Sequence, residues 1–460
     1  MSGLTVRHDG EQIRISDEDG NELLVPPEPR DWQGSRADWI VVYLQNDGAD
    51  VTARAQRAIR AALETDGQAP ALVEIADPDL GRLLRRIGSD LLALEDADAL
   101  LVALATAVSV ADADHEPLWL VLVGAASTGK DETLGLLGQV ADGRLSGITP
   151  EVLLSGRAPK GGEPRRTGLL ADLGDHCNAL VTVSDLPSVL EGGSAAALRD
   201  VYDGGYTRTT DRASLSWEGR VTLLGGASPA IDAFGAQTEP LGSRCVLFRL
   251  PAFTDEQRDA VQAMIAGRTN ASEVRADLSR QVQAIVETAR ARLGSVELQA
   301  DTRTLVSQVA GIAGYGRATV PRDVAGDPQD AAHWEEPARL TQQLLGLARA
   351  LSALEVGDVA VRRIVRRAAL SCIPAARAWA LDALEADEWT TTQQAAKTAG
   401  LDDRVTRRAL ADWLATRRVV ETRRGEKADQ PDGAGEPSAG PEEWRIAPKN
   451  AANVAAILGR

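Results

Sequence analysis

The chain has 460 residues, enough for two or three domains with a sizeable core, and it carries a net charge of −17. A protein that coats nucleic acid by bulk charge is basic, so any contact with a polyanion must be confined to a local patch. Cys177, Cys245 and Cys372 and the histidines His8, His115, His176 and His333 are scattered without pairing or metal spacing; with no charged apolar leader and no run of about 18 apolar residues, a soluble, cytoplasmic protein without a membrane partner is expected.

In chain order, residues 1–30 alternate weakly, through Leu4, Val6, Ile13 and Ile15, and read as a β-rich lead-in. Residues 31–116 read as an N-terminal module of unassigned role. It holds an apolar run at 39–44, helix-like stretches at 51–64 and 77–92, and a second apolar run at 100–110. Residues 117–252 have an α/β pattern. Strands are expected at 118–123, 178–184, 220–228 and 245–250, helices at 132–140 and 194–202, and a loop region rich in Gly, Pro and Arg at 144–168. Residues 253–370 read as almost wholly helical, with a polar break at 321–332. A helical lid behind an α/β core is the expected partner. Residues 371–447 carry helix, turn, helix and two strands, which is winged-helix order. Their polar segment 426–442 is expected to be disordered, and 448–460 is a tail.

The strongest chemical signal begins where the apolar run 118–123 meets Gly124-x-x-x-x-Gly129-Lys130 and a helix-compatible segment follows. Strand, glycine-rich loop and helix in that order is the context of a P-loop. Its backbone N–H groups, from Gly124 through Ser127, Thr128 and Gly129 to the helix start at Asp131 and Glu132, are expected to cradle the phosphates of ATP, with Lys130 reaching the terminal ones. The residue after Lys130, normally Ser or Thr for Mg²⁺, is Asp131. A carboxylate can hold Mg²⁺ directly or through water. Asp185, closing the apolar run 179–183, stands where a second carboxylate for Mg²⁺ is expected. No Glu follows Asp185, so the group that polarises the attacking water is unplaced; Glu132, Glu151 and Asp172 are weak candidates.

Ser228 ends the third core strand before Pro229 and suits a group that orients water near the γ-phosphate. Arg244, just before the last core strand, and Arg339, opening a helix of the lid, suit charge neutralisation on a nucleotide, Arg244 from a subunit edge. Tyr206, Arg208 and Arg212 lie on a Gly-flexible hairpin suited either to gripping a polymer or to a structural turn. In the terminal domain, Arg404, Arg407 and Arg408 share a helix, and residues 401–427 are net +3, the localisation that DNA contact needs; winged helices also dock proteins.

With these residues assembled, segment 118–250 resembles the primase- or helicase-associated P-loop ATPases of actinobacterial phages, plasmids and integrated elements. The matching pieces are Ser127-Thr-Gly-Lys-Asp-Glu-Thr-Leu134, Val183-Ser-Asp-Leu-Pro-Ser-Val-Leu190, Leu198-Arg-Asp-Val-Tyr-Asp-Gly204, Trp217-Glu-Gly-Arg220, Ser228-Pro-Ala-Ile-Asp232 and Leu241-Gly-Ser-Arg244. Segment 335–369 is similar to the lid of AAA+ proteins of the replicative-helicase type, in which an arginine opening a helix completes the neighbouring subunit's site; Arg339 matches it. The resemblance covers about half of the chain and leaves residues 1–116 unexplained. It implies an α/β P-loop NTPase core of AAA+ type with a helical lid and a C-terminal winged helix. It implies Lys130 and Asp131 on ATP and Mg²⁺, Asp185 as the second carboxylate, Ser228 as sensor and Arg244 as finger. It also implies a homo-oligomer such as a hexameric ring. The expected function is an ATP-dependent, helicase-like or replication-associated motor or remodeller acting on DNA. The alternatives are an ATP-gated DNA-binding regulator and a protein-remodelling or defence ATPase.

Overall fold

The computed structural model describes residues 5–9, 12–16, 22–25, 75–92, 97–145, 149–157, 165–187, 194–209, 214–234, 244–251, 253, 255–267, 270–323, 328, 332–334, 336–424 and 441–459. The chain divides into two compact units, residues 1–74 and 75–460. In the first, β1 (Thr5–Asp9), β2 (Gln12–Ser16) and β3 (Glu22–Val25) form an antiparallel sheet in the order β1-β2-β3. Its register pairs Val6 with Ile15 and Ile13 with Val25. The apolar run 39–44 and the helix-like stretch 51–64 lie outside the described residues.

The second unit opens with α1 (Pro78–Ile87) and α2 (Asp98–Ser109). Asp77 caps α1 by accepting from the N–H groups of Asp79 and Leu80 at 2.8 and 3.3 Å. All residues of α2 are buried, which explains its almost unbroken apolar sequence: a helix hydrophobic all round has no solvent face. The core then runs through β4 (Trp119–Val123), α3 (Lys130–Leu136), β5 (Gly143–Leu145), α4 (Pro150–Leu153), β6 (Ser155–Arg157), β7 (Arg165–Thr167) and α5 (Leu169–Leu173). It continues with β8 (Cys177–Val183), α6 (Ala195–Tyr202), β9 (Gly205–Thr209), β10 (Ser214–Ala227) and β11 (Cys245–Arg249).

These strands make a mixed α/β architecture around a parallel sheet ordered β11-β4-β10-β8-β5. Parallel sheets are covered on both faces, and β4 is accordingly apolar and buried at every position. The sequence of β10 records two environments. Ser214-Leu-Ser-Trp-Glu alternates, and pairs antiparallel with β9 as a hairpin, with Leu215 and Trp217 inward. From Val221 to Ala227 every residue is buried, where β10 lies between β4 and β8.

Helices α7 (Asp255–Gly267), α8 (Ala271–Leu293), α9 (Ala300–Gly316), α10 (Ala338–Ala353) and α11 (Asp358–Ser371) follow. α2 packs between α8 and α10, so the stretch 75–116, read in the sequence as the end of an N-terminal module, is built into this unit. The terminal part comprises α12 (Ala375–Asp382), β12 (Thr390–Thr391), α13 (Thr392–Ala399), α14 (Asp403–Ala415), β13 (Val420–Arg424) and β14 (Glu442–Ile446). The three strands order as β12-β14-β13. Thr391 and Gln394 form a reciprocal capping box on α13, and Gly400 ends it in the left-handed conformation. Buried Trp413 and Trp444 fill this small core. Segment 426–442 falls almost wholly outside the described residues, and the tail forms α15 (Ala451–Leu458) against α9 and α11. No helix among the described residues is long and apolar enough to cross a membrane.

Candidate functional site

Strand register decides which exits from the sheet share an edge. Val123 pairs with Ala227 on one side and Arg249 on the other, and Val183 pairs with Gly225 and Leu145. The parallel strands therefore finish on one edge of the sheet. From that edge emerge the loop 124–130 after β4, Asp185 after β8, and Ser228 after β10. Crevices outside the carboxyl ends of parallel strands are where open α/β sheets bind ligands.

Local chemistry shapes the loop. Ser127 and Gly129 have φ of 64° and 85°, left-handed residues on either side of Thr128, an alternation that turns successive N–H groups toward one side. Thr128 Oγ1 donates to the carbonyl of Ala125 at 2.9 Å, and Lys130 Nζ donates to the carbonyls of Gly124 and Ala125 at 2.7 and 2.6 Å. The lysine thus closes the loop on itself from the first position of α3. Partial burial pulls the Lys130 pKa below its ordinary value, while the carboxylates of Asp131 and Asp185 oppose that shift. Both acids therefore lie within electrostatic reach of the ammonium. The close fit of β10 to the end of β8 needs Gly226: a Cβ there would stand 2.8 Å from the Ser184 carbonyl.

Mg²⁺ in such sites is held by one or two carboxylates together with water and substrate oxygens. Asp131, exposed beside Lys130, and Asp185 fit that donor set; among the described residues no cluster of three or more metal-ligating side chains exists. Glu132 is turned away. Arg275 of α8 grips both its oxygens, at 2.7 and 2.5 Å, so its carboxylate fastens α3 to α8 instead of facing the loop. Glu151 pairs with Arg208 at 2.5 Å, beside the β9–β10 hairpin, and Asp172 is exposed on α5.

The opposite edge holds the sequence-marked arginines. Arg244 immediately precedes Cys245, which pairs with Trp119 at the start of β4. Trp119 meets the ring of Tyr202 edge-to-face at 5.2 Å. The guanidinium groups of Arg244 and Arg339 lie 5.4 and 5.8 Å from that same ring, so the two arginines come together around one aromatic. Arg244 is only 7% exposed. Its Nη2 donates to both Asp203 oxygens at 2.9 and 2.7 Å, and its carbonyl accepts from Gln343 Nε2 of α10. Neither arginine shares an edge with Lys130 of the same chain; about 13 Å of strand separates the two ends of β4.

The hairpin forms, but its singled-out residues face inward. Tyr206 is buried in the core cluster with Trp217. Arg208 donates to the Leu154 carbonyl at 2.9 Å as well as to Glu151, which anchors the hairpin to α4. Tyr206 is therefore buried and Arg208 is held by Glu151 and the Leu154 carbonyl, while Arg212 lies outside the described residues. Arg404, Arg407 and Arg408 are placed differently. All three are exposed on the outer face of α14, opposite buried Thr406, Ala409, Leu410 and Trp413, and no carboxylate among the described residues pairs with them.

Tyr202, Asp203, Gln343 and Arg275 organise these edges without having been singled out as site residues. Tyr202 and Asp203 appear in the sequence within the piece Leu198–Gly204 but with no role attached, and Gln343 and Arg275 give no signal there, because their partners are 99 and 143 residues away. No model of a known protein family matches the chain, and no curated protein sequence matches it.

Proposed function

We propose that the chain is an ATP hydrolase of the P-loop class, AAA+-like in layout, that uses ATP and Mg²⁺ to act on DNA as a homo-oligomer. The observation that carries this reading is the convergence of Lys130, Asp131, Asp185 and Ser228 on one edge of a parallel sheet, around a loop that runs into a helix N-terminus. In that arrangement the loop N–H groups and Lys130 bind the phosphates, and the helix start favours their negative charge. Bound Mg²⁺ would supply neutralisation of charge on the β- and γ-oxygens. Asp131 and Asp185 would hold it, directly or through water, and Ser228 would orient the attacking water.

Arg244 and Arg339 are remote from their own chain's loop, which supports their serving the nucleotide of a neighbouring copy. The α8–α11 helices act as the lid, and the 375–446 region as a winged helix whose α14 contacts DNA through Arg404, Arg407 and Arg408. Steady-state hydrolysis of MgATP, alone and with single-stranded or duplex DNA, tests the reading against a Lys130→Ala control. Turnover that DNA accelerates and the substitution abolishes supports it; turnover indifferent to the substitution removes it.

One observation favours a second reading. Asp185 is followed by Leu186, whose side chain is buried, so the next residue along the chain is not a carboxylate that could polarise water. Nucleotide would then be a switch on DNA binding, seen as tight ATP binding without turnover.

A further inference from the structure

We infer that Asp232 and Arg249 form the mechanical link through which the nucleotide edge of the sheet sets the position of the DNA-facing terminal region. This deepens the functional reading above and rests on it.

Two strands flank β4, and each ends beside the loop. β10 ends at Ala227; after Ser228 the chain turns into a single 3₁₀ segment, Pro229–Phe234, which carries Asp232. β11 ends at Arg249, paired with Val123, one residue before Gly124. The Arg249 Nη2 donates to Asp232 Oδ1 at 2.6 Å, which ties the two strand exits together across the end of β4. The rest of the Arg249 side chain faces the junction of α11 and α12. Its Nε donates to the carbonyl of Ser371, the last residue of α11, at 2.9 Å, and Nη2 also reaches the Ile373 carbonyl at 3.3 Å. The Arg249 backbone N–H donates to Ser371 Oγ at 3.0 Å. The second oxygen of Asp232 accepts from the N–H of Ala375, the first residue of α12, at 3.4 Å. A carboxylate at a helix N-terminus also satisfies an otherwise orphaned donor.

From α12 the connection runs on to the DNA-facing helix. Arg377 Nε donates to Asp412 of α14 at 3.0 Å, and Trp413 Nε1 donates to the Arg377 carbonyl at 2.9 Å. α12 and α14 are therefore tied to each other, with Arg404, Arg407 and Arg408 on the outer face of α14. Neither Asp232 nor Arg249 points at the loop itself. They are positioning residues, and their chemistry suits that role. The rigid guanidinium fork meets a carboxylate and two carbonyls from two separate nitrogens, a planar spread that the single nitrogen of a lysine does not cover. A shift of the Ser228 exit on nucleotide binding reaches α12 through the Asp232 carboxylate without passing through the lid.

Coupling of this kind is reciprocal and measurable as an affinity ratio. The experiment uses the full chain and a fluorescent duplex DNA, titrated with Mg²⁺ and either ADP or a non-hydrolysable ATP analogue. In the wild-type protein the two DNA dissociation constants should differ by about 5- to 150-fold, the usual range for allosteric coupling. Asp232→Ala should bring the ratio close to one. Nucleotide affinity and nucleotide-free DNA affinity should each stay within about twofold, as for a surface substitution. Asp232→Asn keeps one acceptor oxygen, enough for Arg249 or for the Ala375 N–H but not for both, and should retain only part of the ratio. A ratio unchanged in Asp232→Ala overturns the inference, whether or not thermal stability falls, because the pair is then only a clamp. A wild-type ratio of one overturns it as well, while leaving nucleotide binding and turnover standing. Wild-type protein that binds no nucleotide takes down the functional reading and this inference together.

Discussion

The two edges of the parallel sheet are built on opposite plans. At the carboxyl edge, charged groups sit on short exits from strands, and Lys130 donates to the carbonyls of its own loop. At the amino edge, Arg244 is 7% exposed and is held by Asp203, Tyr202 and Gln343. The difference teaches where freedom lies. A ligand arriving at the first edge competes with hydrogen bonds from Lys130 to neutral loop carbonyls; one arriving at the second must compete with a bidentate ion pair. The first lies within a single chain, whereas the second offers Arg244 only to something that can displace a carboxylate, and a phosphate has that chemistry.

The largest expected effect tests that division directly. Lys130→Ala and Arg244→Ala should each lower MgATP turnover by at least about a thousandfold if Arg244 acts as a finger. Mixed together, the two inactive proteins should regain part of the activity, because an interface between them joins an intact Lys130 loop to an intact Arg244. No regain at any mixing ratio, with both variants folded and assembled, would break the assignment of the amino edge to a neighbour. Asp203→Asn sharpens the result: if the ion pair restrains Arg244, its loss should raise turnover in the assembled protein, whereas a purely structural pair would give only lower stability.

A second contrast sets the exposed arginines of α14 against the inward face of the hairpin. Substituting Arg404, Arg407 and Arg408 together by alanine should weaken DNA binding at least tenfold. The salt dependence should flatten by about one unit of slope for each phosphate no longer neutralised. Arg208→Ala, by contrast, should leave DNA affinity alone and destabilise the hairpin, since Arg208 is bonded to Glu151 and Leu154. Equal effects on DNA binding from both variants would erase the distinction drawn between the two surfaces. The readout is fluorescence anisotropy across a salt series.

How much of this is legible in the sequence follows from the range of each interaction. The strands at 119–123, 177–183 and 245–249 lie within a residue or two of their expected positions, because short apolar runs bounded by turn residues are local signals. The hairpin half of β10 is legible only as part of a hairpin, since its alternation sets Leu215 and Trp217 in the core against Ser214, Ser216 and Glu218 in solvent. The loop, Asp185 and Ser228 can be marked because strand ends are visible in sequence. Tyr206 and Arg208 leave two readings open in the sequence, because an aromatic beside an arginine looks alike whether it meets a base or packs with Trp217 and Glu151. The pairing of Arg244 with Asp203, 41 residues apart, is a tertiary fact.

Gly226 tests how tightly the carboxyl edge is set. Its missing side chain lets the Ser184 carbonyl approach, so Gly226→Ala forces the end of β8 aside. Stability should fall by about 1–3 kcal/mol, the cost of overpacking a filled site. The displaced residue adjoins Asp185, so MgATP affinity should fall with it, while affinity for duplex DNA measured without nucleotide should not. Chemical denaturation and nucleotide titration on one preparation separate the two effects. A stability loss with unchanged MgATP affinity would detach Asp185 from the site.

The smallest expected effect comes from Glu132, and it bears on the group missing beside Asp185. Glu132 follows Asp131 on α3 and is near enough in sequence to be the carboxylate that polarises water. Its oxygens, however, are both taken by Arg275, an ion pair whose side chains are 31% and 43% exposed. A half-exposed pair of this kind contributes under about 1 kcal/mol, so Glu132→Gln should barely change stability. Turnover should also change little, whereas loss of a general base costs about 100-fold or more. A loss of that size would mean that α8 releases Glu132 during the cycle, and the Arg275→Ala variant would then be the more active of the two. An unchanged rate leaves hydrolysis to water oriented by Ser228 and Asp185 with a base from elsewhere, and makes slow intrinsic turnover the property to expect of a single chain.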